Sequence, residues 1–363
     1  GFQNSGFDSF TLISAFDVFE DYRITGGLKG PIQIDNTGYV LTYENLKSRL
    51  DKKYLLSRQS YQQMNNNFDI QKIVSYDVKY ILSFPFSEVN RLQLSNHLRY
   101  DRKITLSTEP NTLVQENENY YLGGAVLEFV HDVTRPIALN IQLGTKYKFW
   151  AEAYKDITVK NSDFFVLGFD LRHYQKIHRN IIFASRFAAS TSFGSQRLIY
   201  YMGGVDSWMW AKFDQSILPD PNQNYQFQTI ATPLRGFYQN ARNGNSFIAM
   251  NNELRIPLIS YFSTTPLKSE FLENFMLIGF GDVGTSWTGW NPYSSENSFN
   301  TREINGHNYT ITIHNQKEPI IYGYGLGLRS KLFGYYVRFD WAWGVDDGVT
   351  MPSIKYLSLS LDF

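Results

Sequence analysis

The sequence predicts an all-β fold, a sixteen-stranded antiparallel transmembrane β-barrel with an external loop folded inward, and three observations support the barrel. Apolar and polar residues alternate with a period of two over segments of about 9–14 residues, a length that suits tilted strands crossing a bilayer. Aromatic residues crowd the ends of these segments, as in "KYKFW", "FDWAW" and "GTSWTGW". Full charges lie on the polar face, which a wet interior tolerates. A soluble sandwich, the alternative, usually has shorter strands.

The alternation is clearest in three segments. The segment "IALNIQLGTKYKFW" places one set of apolar residues on a single face: Ile137, Leu139, Ile141, Leu143, Tyr147 and Phe149. The segments "IVSYDVKYILSF" at 73–84 and "YYVRFDWAW" at 335–343 repeat the pattern. No apolar stripe of comparable length has helical spacing. We therefore expect strands rather than helices along the chain.

Sixteen strands are predicted, the even number that brings both ends of a bacterial barrel to one side. They lie near 9–17, 20–29, 36–45, 49–61, 69–84, 87–101, 119–132, 135–150, 162–174, 179–191, 196–204, 246–258, 274–288, 318–330, 334–345 and 354–363. The long polar loops at 102–118, 205–245 and 289–317 fall at alternate connections, which predicts one external face. Residues 1–363 then form a single barrel domain.

Composition excludes several classes of function. Lys and Arg number 34 and balance 34 Asp and Glu, so nothing indicates a nucleic-acid partner. The chain has no cysteine, which excludes disulfides and thiolate metal sites. Its apolar runs are too short for a membrane helix. The six histidines have no metal-ligand spacing, and no GxSxG, P-loop or dinucleotide motif occurs. We expect no catalysis, no cofactor and no metal.

The chain ends in "YLSLSLDF", where Leu357, Leu359, Leu361 and Phe363 alternate to the last residue. A closing strand with a terminal aromatic resembles the C-terminal recognition signal of bacterial outer-membrane proteins. The resemblance implies a location in the bacterial outer membrane.

The stretch Leu234-Arg235-Gly236-Phe237 places a cation and an aromatic around a glycine within a polar loop. In the strand after the loop, period two turns Glu253 inward, and in the next strand it turns Asp282 inward. An inward glycine track, Gly323, Gly325 and Gly327, follows, and glycines in strands often mark close backbone approach. We expect the loop to fold back into the barrel, with Arg235 held by Glu253 and Asp282.

The series "PLRGF", "NNELRIPL" and "LIGFGDVGTSW" resembles the outer-membrane assembly-factor superfamily, to which BamA, TamA and FhaC belong. The resemblance implies a sixteen-stranded barrel whose sixth external loop inserts an Arg, here Arg235, against acids matched by Glu253 and Asp282. It is strong over roughly 200–290 and architectural over 1–190. Superfamily members that assemble or translocate proteins carry POTRA domains, and we expect none in this chain. The segment 39–63 resembles Bacteroidota barrels that follow a TolB-like propeller.

The resemblance leaves three functions open. The first is insertion, assembly or translocation of outer-membrane or surface proteins. The second is a non-catalytic anchor or accessory subunit for a periplasmic domain or a larger outer-membrane complex. The third is a passive channel, which would be expected to have rings of facing acids and bases. The implied partners are outer-membrane lipids or lipopolysaccharide, client outer-membrane proteins, and periplasmic or lipoprotein subunits.

Overall fold

The computed structural model describes residues 8–31, 38–64, 70–106, 117–160, 162–217, 219, 225–231, 233–263, 268–305 and 310–363. Across those residues the protein is all-β, with only three short helices. None of the helices in the described part of the chain combines the length and the apolar character needed to cross a membrane. Seventeen of the described strands belong to one large antiparallel sheet.

The first compact unit comprises Gly1–Val130 and Trp150–Phe165. It opens with six strands: β1 (Asp8–Phe16), β2 (Tyr22–Pro31), β3 (Gly38–Asn45), β4 (Asp51–Met64), β5 (Ile70–Pro85) and β6 (Asn90–Thr105). Each of these strands pairs antiparallel with the next. Four further strands follow in the chain: β7 (Glu118–Asp132), β8 (Arg135–Ala138), β9 (Ile141–Asp156) and β10 (Phe164–His178). The boundary between the two units falls within β7, β9 and β10.

The second unit comprises His131–Phe149 and Val166–Phe363. After β10 its strands are β11 (Ile181–Gly194), β12 (Arg197–Met202), β13 (Tyr225–Ile230), β14 (Arg242–Gly244), β15 (Ser246–Ile256), β16 (Met276–Trp287), β17 (Phe299–Asn305), β18 (Thr310–Gln316), β19 (Ile321–Leu332), β20 (Tyr335–Asp346), β21 (Val349–Thr350) and β22 (Ile354–Leu359). Its helices are α1 (Leu258–Phe262), α2 (Glu270–Glu273) and α3 (Ser295–Ser298). The order β11-β15-β16-β19-β20-β22 is antiparallel throughout.

Period two in the sequence becomes two distinct faces of the sheet in the second unit. In β15 the buried residues are Phe247, Ala249, Asn251, Glu253 and Arg255, and the residues between them are more exposed. β16 buries Met276, Ile278, Phe280, Asp282 and Gly284, and β19 alternates in the same way. Charged side chains therefore share the buried face with apolar ones, while the apolar residues Ile248, Met250 and Leu254 lie on the exposed face.

Tyrosines form cross-strand rows in the first unit. Tyr22, Tyr43, Tyr54 and Tyr80 stack from β2 to β5 with ring centroids 6.5, 6.0 and 4.8 Å apart. These residues lie close to the ends of their strands. Such rows are typical of the aromatic girdles at a membrane interface.

The strand predicted at 196–204 differs from the structure. β12 forms there, but it pairs with β13 and β14 in a separate three-stranded sheet, and β11 pairs directly with β15. A strand that faces lipid has one exposed side, whereas Ile199, Tyr200, Tyr201 and Met202 are all buried. The segment is therefore part of the long loop between β11 and β15, and the count of sixteen barrel strands stays a prediction.

The strand predicted at 135–150 is also interrupted. A turn at 139–140 separates β8 from β9, and Asn140 adopts a left-handed conformation with φ of 61°. Gly144 has φ of 107°, and a β-carbon added to it would lie 2.6 Å from the carbonyl oxygen of Val133. Ile141 is therefore buried in a core cluster, whereas Phe149 is half exposed, so the two do not share the predicted face.

Candidate functional site

Arg235 is buried at the tip of the loop between β11 and β15, with 2% of its surface exposed. Its Nε and Nη2 donate to the two carboxylate oxygens of Asp282, each at 2.7 Å. Its Nη1 donates to Oε1 of Glu253 at 2.6 Å, and its backbone N–H also donates to Asp282 at 3.1 Å. The guanidinium thus forms a bidentate pair with one acid and a third charge-assisted bond with the other.

The strands position these acids. Glu253 on β15 lies opposite Phe280 on β16, and Asp282 lies one inward position further along β16. Phe280 points to the same face, and the Cζ of Arg235 stacks over its ring at 3.7 Å from the centroid. The two carboxylates are almost completely buried, so each would be costly without a cation. Arg235 supplies that charge from the loop.

The inward glycines have separate neighbours. A side chain at Gly323 would collide with the carbonyl oxygen of Arg235, so this glycine admits the loop tip. A β-carbon at Gly325 would lie 2.7 Å from the ring of Phe280, and one at Gly327 would lie 2.7 Å from Nη1 of Arg329. Of the three, Gly323 meets the loop backbone. Gly325 lies against the backbone of β20 at Trp341 and Ala342 as well as the ring of Phe280, and Gly327 lies against the side chains of Asp340 and Arg329.

Gly236 requires its own backbone freedom. Its φ is 97°, a region that L side chains rarely adopt, and an added β-carbon would lie 2.5 Å from the backbone nitrogen of Gly344. Its N–H donates to the hydroxyl of Tyr356 at 2.9 Å, and that hydroxyl donates to the carbonyl of Phe237 at 2.8 Å. A single hydroxyl on β22 therefore satisfies two backbone groups of the tip.

Leu234 and Phe237 give the tip its apolar contacts. Both are buried, with 0% and 7% exposed, in a cluster that also contains Tyr200, Phe247 and Ile321. The tip is thus held by charge on one side and by apolar packing on the other.

The paired acids belong to a larger charge network in the second unit. Arg255 donates to Glu253 at 2.9 Å, Arg329 bridges Asp340 and Asp362 at 2.8 and 2.9 Å, and Arg338 pairs with Asp362 at 3.1 Å. Four cations meet four anions: Arg235, Arg255, Arg329 and Arg338 with Glu253, Asp282, Asp340 and Asp362. A balanced network of this kind avoids an uncompensated buried charge.

A polar cavity of about 200 Å³ adjoins this network. Its lining includes Arg172, Arg186, Arg235, Glu253 and Asp362. Arg172 and Arg186 both bind the single carboxylate of Asp170, at 2.7 and 2.6 Å. The space is large enough for several waters, and the five charged side chains named above that line it are in ion pairs.

An earlier part of the loop pairs with β22. Trp208 lies opposite Ser358 in an isolated antiparallel bridge, and the N–H of Met209 donates to the carbonyl of Leu357 at 2.9 Å. The ring of Trp208 also packs edge-on against Tyr356, with centroids 4.8 Å apart. The loop therefore contacts both the tip's hydroxyl partner and the backbone of β22.

Arg242 forms a second anchor of the loop. Its guanidinium binds Asp346 through Nη2 at 2.5 Å and through Nη1 at 3.1 Å, and it donates to the carbonyls of Glu318 and Pro319. Burial, followed by repulsion from Arg242, lowers the pKa of nearby Lys317 to about 8. The folded protein therefore releases the Lys317 proton at a lower pH than the unfolded chain does.

The C-terminal residues divide between two environments. Leu359 and Leu361 are exposed, with 41% and 52% accessible. The regular strand ends at Leu359, before the predicted end at 363. Phe363 packs against the buried cluster that contains Ile141, and Arg255 lies over its ring at 5.2 Å. The role of Leu357, Leu359, Leu361 and Phe363 as a recognition signal stays a prediction.

Several partners in this site did not emerge from the sequence. Phe280, Gly344 and Tyr356 contact the tip, and Arg329 and Asp362 extend the network. Period-two alternation turns Phe280, Gly344 and Tyr356 to the buried face. That signal could have identified them as residues of this face, though not as partners of the tip. Within the described residues, no group of three or more His, Cys, Asp or Glu side chains is arranged to hold a metal ion.

Comparison with known proteins bears on the fold. No family model matches the chain. No curated protein sequence matches it either. Among solved structures it is similar to BamA from Haemophilus ducreyi lacking POTRA domains 1-3, with a TM-score of 0.58 at 13% identity over 99% of this chain. It is also similar to CdiB from Acinetobacter baumannii, with a TM-score of 0.55 at 13% identity over 98% of this chain. CdiB from Escherichia coli gives a TM-score of 0.50 at 11% identity over 97% of this chain.

The share of each solved structure that this chain covers differs between BamA and the two CdiB proteins. The chain spans 70% of the BamA chain, but 56% and 59% of the two CdiB chains. At these identities the likeness concerns the fold. Together with the antiparallel all-β architecture, it identifies this chain as sharing the fold of the BamA and CdiB barrels.

Proposed function

We propose that this chain is a β-barrel of the bacterial outer membrane that takes part in inserting, assembling or translocating outer-membrane or surface proteins. The observation that carries the proposal is the seat of Arg235 on Asp282 and Glu253, at 2.7 and 2.6 Å. The similarity of the fold to BamA and CdiB supports it.

The proposed barrel has sixteen strands, and the loop between β11 and β15 is external and folds into the lumen. The buried face of the second unit would then line the lumen, and the exposed apolar rows would face lipid. Tyr322, Tyr324, Leu326 and Leu328 form such a row on β19, each more than 40% exposed. Exposed apolar surface of that kind is stable in lipid and costly in water.

The packing on the buried face of the second unit argues against a passive channel. The buried face of the second unit holds eight paired charges and a cluster that includes Ile182, Ile278 and Phe280. Conduction needs a wet path lined by groups that ions can bind and leave. Plugging by the loop fits a barrel that is closed at rest.

The contact with β22 supports an assembly role over an anchor. Barrel-assisted insertion needs a strand edge that can pair with an incoming strand. Here part of the β22 edge is bonded to Met209 of the loop, and a loop contact is easier to exchange than a neighbouring strand of full length. An anchor would have no need of such an exchangeable contact.

We further propose that the barrel is not an enzyme, and the pairing of the eight buried charges around the loop tip supports this. The partners that the proposal implies are lipids or lipopolysaccharide of the outer membrane, client outer-membrane proteins, and periplasmic or lipoprotein subunits.

A reconstitution experiment tests the function. The chain is inserted into lipid vesicles, a urea-unfolded eight-stranded outer-membrane protein is added, and its folding rate is followed by its shift in gel mobility. We expect faster folding than in empty vesicles. A rate equal to that in empty vesicles would favour the anchor, and free leakage of a small dye would favour the channel.

A pair of variants links the activity to the loop. Arg235→Ala is expected to slow client folding, because it releases the tip. Arg99→Ala removes a cation of the first unit that pairs with Asp101 rather than with the acids of the loop tip, and is expected to leave the rate unchanged. Equal effects of the two changes would separate the activity from the tip.

A further inference from the structure

The connection between β15 and β16 is unusual for its end of the second unit. Its described residues, 257–263 and 268–275, contain α1 and α2. The other connections at this end, 179–180 between β10 and β11 and 333–334 between β19 and β20, have two residues each. Short turns are the rule at the periplasmic end of such barrels, so a helical segment there calls for a separate explanation.

Contacts fix this segment across neighbouring strands. The hydroxyl of Tyr261 in α1 lies 2.9 Å from Nδ1 of His178, at the end of β10. The Cζ of Arg179 lies over the ring of Tyr261 at 5.3 Å. In α2, the carbonyl of Phe271 accepts a hydrogen bond from Ser330 of β19 at 2.7 Å. The segment is therefore docked at both of its helices.

The contact with Ser330 shows on which side of the sheet α2 lies. On β19 the exposed row continues in steps of two from Tyr322 to Leu328, and Ser330 is the next member. Ser330 is only 6% exposed, because the backbone of α2 covers it. α2 therefore lies on the face that carries the exposed apolar row, directly beyond Leu328.

The outer surface of the segment carries three exposed apolar side chains beside the exposed polar residues Lys268, Ser269, Glu270 and Glu273. Phe262 is 75% exposed, and Phe271 and Leu272 are each 40% exposed. Basic side chains flank them: Arg179 on one side and Lys331, which pairs with Glu270 at 3.0 Å, on the other. Apolar and aromatic side chains bordered by Arg and Lys are typical of segments at the boundary between lipid and water.

We propose that residues 257–263 and 268–275 of this connection form an interfacial lipid-binding element, which inserts Phe262, Phe271 and Leu272 into the membrane at the periplasmic rim. The proposal rests on the membrane location proposed above and adds a specific contact to it. Lipid is the occupant because the patch continues the exposed apolar row of β19 on the same face. The element would fix the height of the β15–β16 hairpin, which carries Glu253 and Asp282, relative to the bilayer.

Nitroxide labelling tests the proposal, and the absence of cysteine from the chain makes each label unique. Single variants Phe262→Cys, Leu272→Cys, Glu273→Cys and Leu326→Cys are labelled in the full chain, reconstituted in vesicles of phosphatidylethanolamine and phosphatidylglycerol. Collision of each label with oxygen, which concentrates in lipid, is compared with collision with a water-soluble nickel chelate. Glu273 is the matched control because it is an exposed polar residue of α2 next to Leu272.

We expect labels at 262 and 272 to favour oxygen, as the label at 326 does, and the label at 273 to favour the nickel chelate. Labels at 262 and 272 that favour the chelate while the label at 326 favours oxygen would overturn the lipid contact and leave the barrel in the membrane. A label at 326 that also favours the chelate would instead contradict the membrane location itself.

Discussion

The guanidinium of Arg235 uses three of its five donors on two acids that lie on the buried face of adjacent strands. Glu253 also accepts a hydrogen bond from Arg255, whereas within the described part of the chain the side chain of Asp282 is bonded to Arg235 only. Lysine could not reproduce this geometry, because its ammonium lacks the planar fork. The charge of Asp282 is therefore compensated by one side chain.

The first prediction follows from this dependence. Arg235→Ala leaves Asp282 buried without its cation, at a cost of about 1–3 kcal/mol. We expect faster hydrogen exchange in 233–245 before any loss of exchange protection in β15 and β16. Hydrogen-exchange mass spectrometry measures both, with Arg99→Ala as the control. Simultaneous loss in loop and strands would show that the tip is part of the cooperative fold.

A second prediction concerns the close approach at Gly323. Gly323→Ala places a methyl group where the carbonyl of Arg235 lies, so the tip must move away. Gly279→Ala on β16 is the matched control, because nothing lies within 4 Å of its added β-carbon. Protease cleavage within the loop should rise for the first variant and stay at the wild-type level for the second. Unchanged cleavage in Gly323→Ala would contradict the seated tip.

If the barrel spans a membrane, the exposed apolar rows of the second unit face lipid. The cost of placing a charge in such a row then depends on how deep in the bilayer the residue lies. We predict that Leu326→Lys, in the middle of β19, destabilises the barrel by about 2–4 kcal/mol, whereas Leu332→Lys, at its end, costs about 0–1 kcal/mol. Leu139 lies in a turn, so a lysine at this position would not test how the cost depends on depth in the bilayer. Urea unfolding in vesicles measures the difference. Equal costs at the two positions would argue against a bilayer around this face.

Most strands were predictable because period two needs only local sequence. β15, β16, β19 and β20 coincide with predicted strands to within a few residues. Their inward acids and glycines follow from the period-two alternation of side chains along a strand. Two segments were not. Asn140 and Gly144 break the 135–150 alternation through positive φ, which side-chain polarity does not report. β12 has strand-like composition, but its burial on both faces depends on the loop that covers it.

The candidate site was predictable to the same degree. The loop motif predicts Arg235, and the period-two alternation of two strands predicts Glu253 and Asp282. The structure brings the three within hydrogen-bonding distance. Tyr356 could not be assigned to Gly236, because 120 residues separate them and no local pattern links a hydroxyl to a loop. The network of Arg329 and Asp362 likewise depends on how β19 and the C-terminal residues meet.

Loop, network and final strand form one connected system in the second unit. Arg235 holds the tip, the tip holds the hydroxyl of Tyr356, and Tyr356 packs on Trp208, which is paired with Ser358. If strand exchange at β22 is part of the function, Trp208 and Met209 must leave the strand before another strand pairs at Leu357.

The last prediction tests that requirement. Trp208→Cys with Ser358→Cys places two cysteines opposite each other in an antiparallel bridge, within reach of a disulfide. We expect the oxidised protein to fold clients more slowly than the same protein after reduction. Trp208→Cys alone, treated with the same oxidant, is the control. Equal rates in the oxidised and reduced states would exclude a role for this contact in exchange.

The stacking of Arg235 on Phe280 has one further consequence. At 3.7 Å above the ring centroid, the guanidinium carbon lies in the shielding cone of the aromatic ring current. The neighbouring arginine protons should then resonate upfield of those of a solvated arginine, and they should return downfield whenever the tip leaves its seat. The chemical shift of a single arginine would thus report whether the loop is open, and it can be measured in the intact protein while a client folds.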